Sequence, residues 1–189
     1  MSQAERCGAS VRQVSRLGCW IEGIIAKSEV LEWHRGDLGW LRIAPLNQGF
    51  GLAPITDLGW EMVNRKFNQA YREVTGSDSS WEVDVRHDLV KFCWALADWL
   101  ERVSLAGPVA VVQITCHGGD CEHGAAVWKD GRRLFAPAMM ESSLNQSFDN
   151  PVNQALRAIG VEVGKSHDAF EAVGLPAWRS RDDWEAAAV

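Results

Sequence analysis

The sequence predicts an α+β fold: a mixed, mainly antiparallel sheet packed against a long amphipathic helix, followed by a helical C-terminal segment. Three observations lead there. Residues 107–137 read GPVAVVQITCHGGDCEHGAAVWKDGRRLFAP, in which apolar runs alternate with turn residues at strand spacing. Residues 85–105 place Leu89, Phe92, Cys93, Leu96, Leu100 and Val103 on one helical face. After residue 149, helix starts and stops recur at short intervals, at Asn150-Pro151, Gly160, Gly174 and Ser180.

In chain order, residues 1–14 are polar and rich in small side chains, which reads as a frayed arm preceding one domain over 15–189. Residues 17–26, LGCWIEGIIA, form the first strand, and Ser28 caps a short helix that Gly36 stops. Residues 41–46 and 50–55 form a pair of short strands. Pro45 and Pro54 confine them to edges or strand ends, because proline offers no N–H to a ladder. Thr56 and Asp57 cap a helix that carries Leu58, Met62 and Val63 towards Phe67 and Tyr71, and GSDSS at 76–80 is a loop.

Gly107-Pro108 ends the long helix and delivers the chain into Val109, Val111, Val112 and Ile114, a β-branched run that requires burial on both faces. Gly118 and Gly119 turn it back into the run Ala125–Trp128. Asp130-Gly131 makes the next hairpin, so three antiparallel strands follow one another. Residues 138–149 are a polar loop. Asn150 and Pro151 start a helix with Val152, Ala155, Leu156 and Ile159 on its buried face; a second runs from Ser166 to Val173, and Ser180 with Asp182 and Asp183 starts a third.

A chain of 189 residues buries about 70% of its unfolded surface and needs no covalent staples. A formal charge of -6 excludes a general nucleic-acid binder and suits a basic protein partner. No apolar run approaches membrane-spanning length, and the N-terminus lacks the pattern of a secretory signal. Five scattered cysteines, at 7, 19, 93, 116 and 121, do not form a regular disulfide framework. They read as reduced thiols in the cytoplasm. Ten tryptophans against one tyrosine supply large apolar area, most of it for the core and some for interface anchors.

Chemistry concentrates in one place. The loop CHGGDCEH holds two Cys, two His, an Asp and a Glu within eight residues, enough donors for a tetrahedral zinc ion built from Cys116, His117, Cys121 and His123. Against it, Cys116 and Cys121 are separated by four residues, and no second Cys/His pair stands elsewhere. The alternative reading is a polar hairpin tip with incidental thiols. A turn centred on Gly119-Asp120 would set Cys116 opposite His123 as a nucleophile and base, although His117 would face away and no orienting acid is evident. GVEVGKS, residues 160–166, leaves three residues between its glycines where a phosphate-binding loop needs four, and reads as a helix-to-helix connection. His34, His87 and His167 stand singly beside acidic or capping residues.

The run GPVAVVQITCHGG, then GAAVWKDG, NPVNQALRAIGVEVG, HDAFEAVGL and RSRDDW, preceded by GFGLAPITD, resembles a set of small bacterial proteins without assigned activity. Some of that kind resemble immunity proteins of polymorphic toxin systems. The resemblance spans most of residues 17–185, rests on structural signatures and carries over no functional residue. In that pattern the turn is aromatic and glycine-rich, so Cys116, His117, Cys121 and His123 depart from it.

These readings converge on an acidic binding protein of the immunity type, without a cofactor, that neutralises a basic toxin domain by contact. Trp178, Asp182, Asp183 and Trp184 are the expected partner-binding group, because tryptophan and carboxylates together suit a basic partner. The competing expectation is a small zinc-dependent or thiol enzyme built on Cys116 and His123.

Overall fold

The computed structural model describes residues 19–39, 41–56, 59, 61–62, 65, 88–117, 120–135, 140–143, 149–177 and 180–188; the side chains of 88–95, 135, 140–143 and 181–182 are outside that description. The expected N-terminal arm and the loop at 76–80 fall outside it, as does most of the helix expected after Thr56. At that helix start, the Gly59 N–H donates to Thr56 Oγ1 at 3.3 Å, the capping contact expected of Thr56.

The described strands are β1 (Cys19–Lys27), β2 (Ala44–Pro45), β3 (Phe50–Pro54), β4 (Val109–His117), β5 (Asp120–Lys129), β6 (Arg132–Phe135) and β7 (Met140–Ser143). They form one sheet in the order β2-β3-β1-β4-β5-β6, with β7 also on β5. Every pairing between them is antiparallel, so the mixed sheet expected from sequence is corrected. The one parallel link described is an isolated bridge, Trp20 to Ser180. β6 pairs with residues 127–129 of β5 and β7 with residues 120–123, dividing one edge between them. The stretch expected to be a loop after residue 137 therefore supplies a strand.

The described helices are α1 (Ser28–Trp33), α2 (Arg35–Leu38), α3 (Asp88–Val103), α4 (Pro151–Ala158), α5 (Ala169–Val173) and α6 (Arg181–Ala187). The expected helix stop at Gly36 moves to Gly39, whose φ of 69° is the left-handed value that ends α2. The long helix expected over 85–105 has 16 residues, and its apolar stripe is described only from Leu96 onward.

β4 shows why its residues must be apolar. Val109 and Val111 pack on one face with Ile24, Ala126 and Trp128, under Val30 and Leu31 of α1 and Leu96, Trp99, Leu100 and Val103 of α3. Ala110, Val112 and Ile114 face the other way, with Ile21, Ile25 and Val127, beneath Val152, Ala155 and Leu156 of α4, Ala169 and Val173 of α5, and Trp184 of α6. The sheet is thus covered on both faces rather than backed by one helix, and a strand between two helical layers carries no polar alternation. Burying each Val or Ile there contributes about 1.5–3 kcal/mol before entropy.

Local signals set the joints. Asp130 and Gly131 have φ of 52° and 71°, the paired positive values of a type I′ hairpin, as their sequence predicts. Asn150 Oδ1 accepts from the Asn153 N–H at 2.9 Å ahead of Pro151, and Ser180 and Asp183 close a reciprocal capping box on α6. Gln48, with φ of 58°, holds two distant segments together. Its Nε2 donates to the Glu162 carbonyl at 2.8 Å while its Oε1 accepts from the Glu162 N–H at 3.0 Å. No helix among the described residues is long and apolar enough to cross a membrane.

Candidate functional site

The β4–β5 register decides what the Cys/His loop can do. It sets His117 opposite Asp120, Cys116 opposite Cys121 and Ile114 opposite His123. Directly opposed residues share a face and stand close, and the Cys116 and Cys121 Cα atoms are 4.1 Å apart, joined through a disulfide. On the other side of β4, Cys19 of β1 stands opposite Cys116, so three cysteines lie in a row across three strands. Among the cysteines whose side chains are described, Cys19 is the one outside the disulfide. Cys19 and Cys116 are half-buried against the core beneath α4, α5 and α6, while Cys121 is 9% exposed.

His123, two residues beyond Cys121, projects from the same face. Its Nδ1 is buried and finds no hydrogen-bond partner among the described residues, which costs about 1–3 kcal/mol for a polar atom removed from water. Burial pulls its pKa below the ordinary value, opposed by the charge of Asp168. Asp168 is itself held. Its Oδ1 accepts from the Glu171 N–H at 2.8 Å to cap α5, and its Oδ2 accepts from Asn153 Nδ2 at 3.1 Å. Asn153 is fully buried and also takes the Phe170 N–H on its Oδ1 at 2.8 Å, so one amide locks α4 to α5 beside the imidazole.

Several expectations change here. Cys116 and Cys121 are not reduced thiols. The Cys116–His123 dyad is not formed, because strand register pairs Cys116 with Cys121 and its sulfur is already bonded. His117 leaves the metal set: it is exposed, and neighbouring strand residues point to opposite faces. Cys116, Cys121 and His123 do come together, with ligand atoms all within 4.8 Å of one another.

The expected partner-binding group is also revised. Trp184 is 1% exposed in the core and is not available to a partner. The Asp183 carboxylate accepts from the Ser180 N–H and hydroxyl, so its role is to start α6. Trp178 and the Asp182 side chain lie outside the described residues.

A different surface carries tryptophan and carboxylates. Trp33, at the end of α1, is 84% exposed. Glu29, one helical turn earlier on the same face, and Glu32 are exposed beside it. Asp37 follows in α2. The hydrogen bond with His34 Nδ1, at 3.0 Å, is the main reason that its carboxyl sits below the usual range. Arg35 partly offsets this negative cluster through Glu32 at 3.5 Å. Nothing in the sequence separates Trp33 from a core tryptophan, since Glu-Trp at the end of a short helix fits either role.

GVEVGKS is the connection between α4 and α5, as its spacing predicts, with Gly160 and Gly164 at φ of 94° and 58°. It borders an open depression of about 480 Å³ with Lys27 and Gln48. The Lys27 ammonium is committed there: it donates to the Gln48 carbonyl at 2.8 Å and sits 3.9 Å from the Phe50 ring centroid. His167 precedes the α5 cap, its N–H donating to Glu171 Oε2 at 2.7 Å, and His87 lies outside the described residues.

Comparison with known protein families, curated proteins and solved structures finds no match.

Proposed function

We propose that the protein is a cytoplasmic binding protein of the immunity type, which neutralises a basic toxin domain by contact through the acidic, tryptophan-bearing surface of α1 and α2. The observation that carries this reading is Trp33, an indole 84% exposed and flanked by Glu29 and Glu32. A tryptophan buried on association is the commonest kind of interface anchor, and surrounding carboxylates steer a basic partner and select against acidic ones. The formal charge of -6 supplies the long-range attraction. The competing thiol-enzyme reading loses its nucleophile for as long as Cys116 is bonded to Cys121.

The test is co-purification from the native cell with wild-type protein and with Trp33→Ala and Glu29→Lys variants. The expected result is a stoichiometric basic protein on the wild type that both variants lose, with purified components showing affinity reduced at least about tenfold. A wild type that holds no stoichiometric protein, or variants that hold the same one equally well, overturns the reading.

A further inference from the structure

The hairpin end carries a feature that partner binding does not use. We propose that Cys116, Cys121 and His123 form a zinc site that opens when their disulfide is reduced, so that this end of the sheet exchanges a covalent link for a metal link.

The ligand set stands on geometry. The two sulfurs and the His123 ring nitrogen already lie within 4.8 Å of one another. A tetrahedral zinc ion with bonds of about 2.3 Å to sulfur and about 2.0–2.1 Å to nitrogen requires ligand atoms roughly 3.6–3.8 Å apart. Opening the disulfide therefore moves the sulfurs by side-chain rotation alone, while strand register keeps their Cα atoms opposed. The imidazole fits the role as well: its buried Nδ1 has no partner among the described residues, and a metal bond satisfies such an atom. Asp168, held by Asn153 and by the start of α5, places a carboxylate where its field reaches the imidazole. Cys19 is opposite Cys116 but outside the 4.8 Å group, so three protein ligands are assigned and the fourth position falls to water.

The chemistry balances with a dithiol as reductant. Two electrons and two protons pass to the Cys116–Cys121 bond, giving two thiols while the dithiol closes to its own disulfide. Zinc binding then releases two protons as both thiols become thiolates. In a reducing compartment the metal form is the resident one, and oxidation expels the ion.

The experiment uses untagged full-length protein in chelator-free buffer, reduced with a dithiol and freed of excess reagent, titrated with cobalt(II) as probe and then with zinc. The reduced protein should take up about one equivalent. It should show a thiolate-to-cobalt charge-transfer band and the visible bands of a tetrahedral site, both erased by zinc. The oxidised protein should show none of this. Cys121→Ser should abolish the bands and His123→Ala should weaken binding at least about tenfold, whereas His117→Ala should leave it unchanged. The redox contrast needs no substitution, so a variant that fails to fold leaves the test intact. Absence of these bands in the reduced wild type, or equal metal uptake by both redox forms, overturns the proposal. Neither outcome bears on the Trp33 surface.

Discussion

At His123, burial disfavours the charged imidazole and the Asp168 carboxylate favours it, and burial is the larger effect. The unfolded chain therefore takes up a proton near the ordinary value of 6.5 before the folded protein does. Stability is full above that pH, declines as pH falls from it to the depressed folded value, and loses nothing further from this residue below. Urea midpoints of oxidised wild type and His123→Gln between about pH 5 and 7 check this, with the slope smaller in the variant. Gly23 in β1 offers a second residue-scale prediction: an added Cβ would stand 2.9 Å from the Ala53 carbonyl oxygen and press on Leu52. Gly23→Ala should cost about 1–3 kcal/mol in urea unfolding. What composition conveyed at this scale was residue type rather than environment. Trp184 in the core and Trp33 in solvent look alike in the sequence, because indole suits both places.

At the scale of elements, the hairpin joining β4 to β5 is the most informative unit. Its disulfide closes a loop with a sequence separation of 5, so the chain-entropy gain is small, about 2 kcal/mol. Cys121→Ser in the presence of a chelator should lower the unfolding free energy by about that amount, read from the urea midpoint at unchanged slope. The strands of this hairpin were legible because β-branched runs bounded by glycine leave little alternative. The Asp130-Gly131 turn, the Asn150-Pro151 start and the Ser180 cap were legible because each rests on a local backbone requirement. Register was not. Moving the assumed turn by one residue exchanges Cys121 for another partner of Cys116, and composition does not fix that position. β7 was missed for a related reason: its MESS run has a polar pattern without strand periodicity, and its pairing with β5 comes from tertiary contact.

The whole molecule is a sheet with helices on both faces, and the two cores make separable demands. Trp184→Ala empties a fully buried site and should cost about 3–5 kcal/mol. Trp33→Ala removes an exposed side chain and should shift stability by less than about 0.5 kcal/mol while abolishing partner capture. Thermal unfolding and co-purification of the two variants should therefore separate in opposite directions. The α+β class was legible from alternating apolar runs and from the helix starts and stops, whereas the sheet is antiparallel rather than mixed and the long apolar stripe is described only from Leu96 onward. That a second layer covers the other face was implicit in the doubly apolar β4 and in the helical C-terminal segment. Neither of those features says which face a helix takes.

The Gln48 side chain behaves as a spare peptide unit, donating to and accepting from Glu162 across 114 positions of sequence. Conversion to a carboxylate would replace the donor with an acceptor facing the Glu162 carbonyl, so that half of the clasp would turn from attraction to repulsion while the Glu162 N–H kept its acceptor. Slow chemical ageing of one amide, mimicked by Gln48→Glu, would thus loosen the α4–α5 connection from the β2–β3 turn while leaving every strand in register.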